Sequence, residues 1–191
     1  MTLRSFDYKI LLGSQSPRRR QLLSEMDIEF TSFSIDADES FPEDMPVSEV
    51  AEFLAVVKSE AHKELRPNEL LITADTTVVK GNQILNKPED NVEAFSMLKE
   101  LSESIHIVNT GVCLRSVIKT VRFHVETAVH FDVMSDENIR YYIDTYKPFD
   151  KAGSYGIQEW IGKIGIKRID GCFYNVMGLP CHRLYQELCM F

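Results

Sequence analysis

Residues 14–20 carry side chains that could bind a phosphate group, with two serines and three arginines around Pro17. Ser16 is a good helix N-cap and Pro17 suits the first helical position, so the segment predicts a turn that opens a helix. A helix N-terminus presents backbone N–H groups and a positive dipole end, and arginine binds phosphate oxygens bidentately. The pattern favours a phosphate site, with a capped helix and solvated arginines as the alternative. It matches neither a P-loop nor a dinucleotide-binding fingerprint.

Asp75 is a second candidate, because it interrupts an apolar, β-branched run between Leu70 and Val79. A carboxylate in such a strand costs free energy unless it has a partner or a chemical role. At a strand end it could bind a metal ion or accept a proton from water. A hydrogen-bonded structural aspartate is the alternative.

Two lysines and a glutamine could contact the same kind of ligand. Pro88 favours extended backbone at Lys87 and could hold that ammonium in place, although a surface lysine is the alternative. Lys58 falls on a predicted helix, where lysine most often points to water. Gln158 ends a segment in which two glycines bracket a tyrosine, and its carboxamide could recognise the edge of a base. A packed irregular loop is the alternative there.

Charge and composition exclude several classes of protein. The chain of 191 residues has a net charge of −8, which argues against a nucleic-acid binder because such proteins need a basic face. Residues 21–57 contain ten acids and no Lys or Arg, directly after the three arginines. This segment is either a solvated acidic face or part of a site that holds a cation beside an anion. The four cysteines lack zinc-ligand spacing, and no apolar run is long enough to span a membrane. We therefore expect reduced thiols and a cytoplasmic protein without a membrane partner.

The elements that must position these residues alternate at first between strand and helix. Strands are predicted at 8–12, 29–35, 70–74, 77–79, 105–115, 120–133, 166–169 and 173–176, and a hairpin turn at 80–83. Helices are predicted from Pro17, from Ser48 to about Leu65, over 91–101, from Ser135 to about Asp144, and from Pro180. Loops are predicted at 36–46 and 148–165. The order indicates an α/β fold with a mixed sheet, in a single domain over residues 1–191.

Six motifs in order resemble those of the Maf family of nucleotide pyrophosphatases. They are Ser-x-Ser-Pro-Arg-Arg at 14–19, Ala-Asp-Thr at 74–76, Lys-Pro at 87–88, His-x-Val-x-Thr-Gly at 106–111, Lys-Ala-Gly-x-Tyr-Gly-Ile-Gln at 151–158 and Asn-Val-x-Gly-Leu-Pro at 175–180. The resemblance implies an elongated mixed β-sheet with flanking helices and two lobes around a central cleft, a fold shared with inosine triphosphate pyrophosphatases. It also implies a homodimer that hydrolyses nucleoside triphosphates to the monophosphate and pyrophosphate, with a divalent cation such as Mg or Mn.

Three positions resemble the dTTP/UTP branch of that family, namely Arg18, Thr76 and Gln158. The resemblance assigns the remaining site residues as follows: Asp75 is the proton acceptor; Ser14, Ser16, Arg19, Lys58 and Lys87 bind the triphosphate; Glu39 and Asp75 hold the metal. The chain departs from the usual family pattern at Asn86, at 102–104 and at 172–173, and none of these changes removes a proposed catalytic group. Two alternatives stay open, a nucleotide-binding regulator of cell division without essential catalysis, and hydrolysis of modified pyrimidine nucleotides.

Overall fold

Residues 7–191 are described by a computed structural model, and the first six residues of the predicted domain lie outside the described residues. The strands are β1 (Lys9–Gly13), β2 (Phe30–Phe33), β3 (Glu69–Lys80), β4 (Gln83–Leu85), β5 (Ile105–Arg115), β6 (Thr120–Phe131) and β7 (Ile166–Asp170). The helices are α1 (Pro17–Glu25), α2 (Val47–Ala61), α3 (Asn91–Leu101), α4 (Asp136–Tyr146), α5 (Trp160–Gly165), α6 (Phe173–Met177) and α7 (Cys181–Met190), with a single 3₁₀ turn at Ala152–Ser154.

The seven strands form a mixed sheet in the order β2-β1-β3-β5-β6-β7, and β4 pairs with β3. β1 runs parallel to β2 and to β3, with Leu12 opposite Ser32 on one side and Ile72 on the other. The hairpin β3–β4 and the pair β6–β7 are antiparallel. This arrangement confirms the predicted α/β class with a mixed sheet.

The chain divides into two compact units. The first comprises the described residues up to Asp75 together with Thr110–Val125 and Gly178–Phe191, and the second comprises Thr76–Asn109 and Glu126–Met177. Leu12, Leu23 and Leu71 are fully buried in the first unit, and Leu98 and Phe131 are fully buried in the second. Each unit therefore has its own apolar core, and the single domain expected over residues 1–191 stays a prediction.

Local sequence signals predicted several element ends correctly. Ser16 caps α1 with Pro17 at the first helical position, and Ser135 caps α4. α3 spans the predicted 91–101, and Gly81 adopts a positive φ of 60° in the hairpin turn before β4. Each of these features depends on residues within one turn of the chain, so the sequence alone could locate them.

The helix predicted to run from Ser48 to about Leu65 is α2, and both of its predicted ends were wrong. It begins at Val47 after Pro46, and it ends at Ala61. The early end has a tertiary cause, because the guanidinium of Arg115 on β5 donates to the carbonyl oxygens of Ser59 and His62. These bonds satisfy acceptors that a helix leaves open at its C-terminus.

The predicted strand at 173–176 was also wrong, since this segment forms the short helix α6. Its aromatic and β-branched residues favour a strand, but Gly171 turns the chain after β7 with a φ of 138°. Asn175 then donates to the carbonyl of Val108 and to the Thr127 hydroxyl, both at 3.0 Å. The predicted loop at 148–165 contains the 3₁₀ turn and α5, so only part of it is irregular.

No helix within residues 7–191 is both long and apolar enough to cross a lipid bilayer.

Candidate functional site

The turn between β1 and α1 forms a small network of polar groups. The Ser16 hydroxyl accepts the backbone N–H of Arg19 at 3.5 Å, which caps the helix. The Ser14 hydroxyl oxygen accepts the N–H of Ser16 at 3.2 Å and an N–H of the Arg19 guanidinium at 3.5 Å. Ser14 is buried and Arg19 is half-buried. The turn therefore brings two hydroxyls and a guanidinium together at the positive end of a helix, as the sequence predicts.

Arg19 is held by a second contact, because its Nε donates to the carbonyl of Gly178 at 2.9 Å. Burial lowers the pKa of Arg19, and the carboxylates of Asp75 and Glu39 act in the opposite direction. An arginine remains protonated in proteins. Arg19 thus places a fixed positive charge in the electric field of the two predicted metal ligands.

Lys58 joins those two carboxylates. Its Nζ lies 2.5 Å from Asp75 Oδ1 and 3.1 Å from Glu39 Oε1. The Lys58 and Asp75 side chains are 14% and 15% exposed, whereas Glu39 is 57% exposed. The predicted helix lysine therefore points to a carboxylate rather than to water.

The packing of α2 on β3 explains this pairing. The Thr73 hydroxyl on β3 donates to the carbonyl of Ala55 on α2 at 2.6 Å. Lys58 follows Ala55 by three residues and so shares its helix face, while Asp75 follows Thr73 by two and shares its strand face. One buried hydrogen bond thus sets the register that places Lys58 against Asp75.

Glu39 lies in the acidic loop between β2 and α2, where its neighbours form a local turn. Asp38 Oδ1 accepts the backbone N–H of Ser40 at 3.0 Å, and this bond lowers the pKa of the Asp38 carboxyl group. An aspartate that bonds the backbone two residues ahead stabilises a tight turn. The turn holds the intervening Glu39 where it contacts Lys58.

The pair Glu39 and Asp75 fits a divalent cation of the magnesium type. Their oxygens converge on one ammonium group, so they are close enough to contact one shared cation. Residues 7–191 contain no group of three or more His, Cys, Asp or Glu side chains that could hold a metal. Magnesium is commonly bound by one or two carboxylates together with substrate phosphates and water. The two carboxylates therefore suit a cation whose other ligands come from a phosphate ligand and water.

The structure brings six of the sequence-predicted residues together in the first unit. These are Ser14, Ser16, Arg19, Glu39, Lys58 and Asp75. Arg18 is half-buried in the first turn of α1, in the same unit. The chemistry available here is phosphate binding by hydroxyls and cations beside a carboxylate that can accept a proton.

The other three predicted residues lie in the second unit. Thr76 is half-buried and follows Asp75 on β3, so their side chains leave opposite faces of the strand. Lys87 is exposed after β4. Gln158 is half-buried, and its Oε1 is buried without a hydrogen-bond partner among the residues the structure describes.

Sequence reasoning missed Tyr142 and Glu159, which contact the loop that carries Gln158. The Tyr142 hydroxyl donates to the Glu159 carboxylate and accepts the N–H of Gly156 at 3.1 Å. Seventeen residues separate Tyr142 from Glu159, and no spacing rule links them. The glycines of the loop are the one sequence feature that indicates close packing there. The structure shows the reason at Gly156, where a Cβ would lie 2.9 Å from the Glu159 carboxyl carbon.

Comparison with known proteins gives consistent similarities. Residues 9–191 match the family model described as "Maf-like protein". A protein of Parabacteroides distasonis named "dTTP/UTP pyrophosphatase" is 53% identical over 183 residues, covering 95% of each chain. A protein with the same name from Porphyromonas gingivalis is 50% identical, covering 95% of this chain and 93% of its own. Another from Flavobacterium johnsoniae is 43% identical, covering 95% of this chain and 94% of its own. A solved structure of a HAM1 protein from Coxiella burnetii has a TM-score of 0.51 at 12% identity, covering 96% of this chain and 100% of that chain, which is a similarity of fold alone.

Proposed function

Because the chain belongs to the Maf family, we propose that it is a nucleoside triphosphate pyrophosphatase that hydrolyses dTTP and UTP to the monophosphate and pyrophosphate. The observation that carries the proposal is the contact of Lys58 with both Asp75 and Glu39 in the field of Arg19. The name shared by the similar proteins supports the choice of substrate.

Asp75 acts as the general base in this proposal. It accepts a proton from a water molecule whose oxygen forms a bond to the α-phosphorus of the α–β anhydride. The bond from that phosphorus to the bridging oxygen breaks, and pyrophosphate leaves with the electron pair. A pure nucleotide-binding regulator has no need of such a base, so the half-buried carboxylate favours hydrolysis over the regulatory alternative.

Local positive charge has to bind the triphosphate, because the substrate carries about four negative charges and long-range attraction to a protein of charge −8 is unfavourable. Ser14, Ser16 and the first turn of α1 offer hydrogen-bond donors to phosphate oxygens. Arg19 and Lys58 supply positive charge beside Asp75 as pyrophosphate leaves. Lys87 contributes a further phosphate contact in this proposal, on the strength of the Lys-Pro motif alone.

Glu39 and Asp75 hold a divalent cation, Mg or Mn, in the proposed reaction. When bound, this cation reduces phosphate charge and lowers the pKa of a coordinated water. Their convergence on a single ammonium group supports this assignment.

We assign the choice of base to Arg18, Thr76 and Gln158. Uracil and thymine share an acceptor–donor–acceptor edge, and a carboxamide can match two adjacent groups of it. Cytosine has an acceptor at N3 and a donor at position 4, the reverse of both groups, and a site built on such bonds rejects the wrong base strongly. The Oε1 of Gln158, which has no partner in the described part of the chain, supports this role, because a buried acceptor without a partner is costly unless a ligand supplies a donor.

We also propose that the protein acts as a homodimer in the cytoplasm, with the nucleotide as its ligand and with no nucleic-acid or membrane partner. Light scattering of the purified protein would give a mass close to twice 21.9 kDa if the dimer forms. A mass of one chain at micromolar concentration would contradict it.

The decisive test is a panel of dTTP, UTP, CTP and GTP with Mg and with Mn, in which pyrophosphate and orthophosphate are measured separately. Pyrophosphate released mainly from dTTP and UTP is the expected result. Replacing Asp75 by Asn should nearly abolish turnover, whereas Asp144→Asn, at a position 70% exposed, should leave it unchanged. Equal turnover of all four nucleotides would reject the base assignment, and full activity of Asp75→Asn would reject the general base. Tight nucleotide binding without hydrolysis would favour the regulatory alternative.

A further inference from the structure

The loop between α4 and α5 is built to hold Gln158 in one position. Lys151, Ser154, Tyr155 and Ile157 are all buried, although the loop contains little regular structure. The Tyr155 hydroxyl lies 2.7 Å from His106 Nε2 on β5. This contact anchors the loop to β5 three residues before Gln158. Buried irregular backbone of this kind needs specific polar contacts, because it has no ladder of its own.

Tyr142 of α4 supplies the two contacts that lie on either side of Gln158. Its hydroxyl oxygen accepts the N–H of Gly156 at 3.1 Å, and its proton is donated to the Glu159 carboxylate. The Tyr142 side chain is fully buried, and burial, followed by the bond to Glu159, raises the pKa of its hydroxyl. The group therefore stays protonated and keeps its role as donor.

Glu159 is fixed a second time, by an ion pair inside the loop. The Lys151 ammonium lies 3.2 Å from Glu159 Oε1 and 2.7 Å from Asp150 Oδ1. The Lys151 and Glu159 side chains are only 9% and 19% exposed. Removing one partner of a buried ion pair leaves an uncompensated charge, so Lys151 and Glu159 hold each other in place.

The Glu159 carboxylate also packs closely against the backbone of Gly156. A Cβ at Gly156 would lie 2.9 Å from the carboxyl carbon of Glu159, so the loop closes tightly around residues 156–159. Lys163 also donates to the carbonyls of Gln158 and Glu159, at 2.7 and 3.2 Å. All these contacts constrain the backbone of Gln158, while its own Oε1 has no hydrogen-bond partner within residues 7–191.

We propose that Tyr142 is a positioning residue for base selectivity: its hydroxyl, with Glu159 and Lys151, fixes the backbone around Gln158 and so places the carboxamide against the edge shared by uracil and thymine. This inference rests on the proposed function, because it assumes that Gln158 contacts the base. It adds to that function a residue that touches neither the base nor the phosphates.

The test compares Tyr142→Phe with Tyr146→Phe, which lies one turn later on α4 and stacks on Tyr142 at a ring distance of 5.1 Å. Each change removes a single hydroxyl and leaves the ring in place. For Tyr142→Phe we expect the ratio of kcat/KM for UTP to that for CTP to fall roughly tenfold, in the direction of the value for Gln158→Ala. The kcat for UTP should stay within about threefold of the wild type, because the phosphate-binding residues are untouched. Tyr146→Phe should keep the wild-type ratio.

Amide hydrogen exchange gives a readout that does not depend on turnover. Exchange at residues 156–159 should be faster in Tyr142→Phe than in the wild type, and it should be unchanged in Tyr146→Phe. Unchanged exchange in Tyr142→Phe overturns the inference, as does an unchanged UTP/CTP ratio in Tyr142→Phe or in Gln158→Ala. If the wild type hydrolyses no nucleotide, the proposed function fails and the selectivity role fails with it, whereas a selective wild type with an unaffected Tyr142→Phe rejects the inference alone.

Discussion

The Lys58 ammonium and the Asp75 carboxylate are in direct contact, at 2.5 Å between Nζ and Oδ1, and both side chains are about 85% buried within the first unit. This contact joins a predicted phosphate ligand directly to the predicted general base. The same ammonium contacts Glu39 at 3.1 Å, so one lysine balances only one of the two negative charges of the proposed metal ligands.

Replacing Lys58 by Gln should lower kcat for dTTP and UTP by roughly 10²–10³-fold, since a charge that stabilises the leaving pyrophosphate is lost. Lys63→Gln provides the matched control, because Lys63 is exposed just beyond the end of α2. Steady-state kinetics of both variants and of the wild type would measure this change in kcat. Wild-type kcat in Lys58→Gln would remove Lys58 from the proposed site.

The metal assignment can be tested at Glu39. A Glu39→Gln change removes one of two carboxylate charges, so the Mn concentration needed for half-maximal activity should rise roughly tenfold or more. Glu43→Gln, an exposed position in the same loop, serves as the control and should leave that concentration unchanged. EDTA should abolish turnover of the wild type, and added Mg or Mn should restore it. Activity that persists in EDTA would contradict the requirement for a divalent cation.

His106 should make the protein less stable in mild acid. Burial, helped by the positive charges of Lys80 and His130, lowers the pKa of His106 from 6.5 to about 3. Between these values the unfolded chain binds a proton that the folded chain does not, so the free energy of unfolding falls as the pH drops from 6.5 towards 3. The contribution of His106 to the change in the free energy of unfolding approaches about 1.4 kcal/mol per pH unit.

Urea unfolding of the wild type and of His106→Asn at pH 7, 6 and 5 would measure this effect. The variant should lose less stability than the wild type between pH 7 and 5, because its position 106 no longer titrates. The exposed His182 offers a control, since His182→Asn should follow the wild-type dependence. Identical pH dependence in wild type and His106→Asn would show that His106 is not held neutral by burial.

Gly111, the last residue of the His-x-Val-x-Thr-Gly motif, should tolerate no side chain. A Cβ built there would lie 2.3 Å from the backbone carbonyl of Ala51 on α2, and backbone atoms cannot move aside cheaply. Gly111→Ala should therefore destabilise the protein by about 2–3 kcal/mol in urea unfolding. Gly81→Ala is the comparison, because within residues 7–191 a Cβ built there would meet no atom within 4 Å outside its two chain neighbours. Only its positive φ is unfavourable, at a cost of about 1 kcal/mol. Equal stability of the two variants would contradict the close approach of α2 to β5.

Features that depend on neighbouring residues could be predicted without knowledge of the fold. The N-cap at Ser16, the hairpin turn at Gly81 and the extent of α3 follow from hydrogen bonds and φ preferences within a few positions. The order of its motifs also identified the family. The roles assigned to Arg18, Thr76, Lys87 and Gln158 came from the motifs as well and remain predictions.

Which distant groups meet depends on how the whole chain folds. The pairing of Lys58 with Asp75 depends on the register set between Thr73 and Ala55, and the contact of Tyr142 with Glu159 depends on how the loop after α4 folds back. Likewise, the end of α2 and the helical state of α6 depend on Arg115 and on the partners of Asn175. These contacts join residues that are 17 to 67 positions apart, and no local pattern encodes them. These hydrogen bonds and ion pairs stabilise the protein only when packing removes water and fixes both partners. They therefore form only in the folded chain.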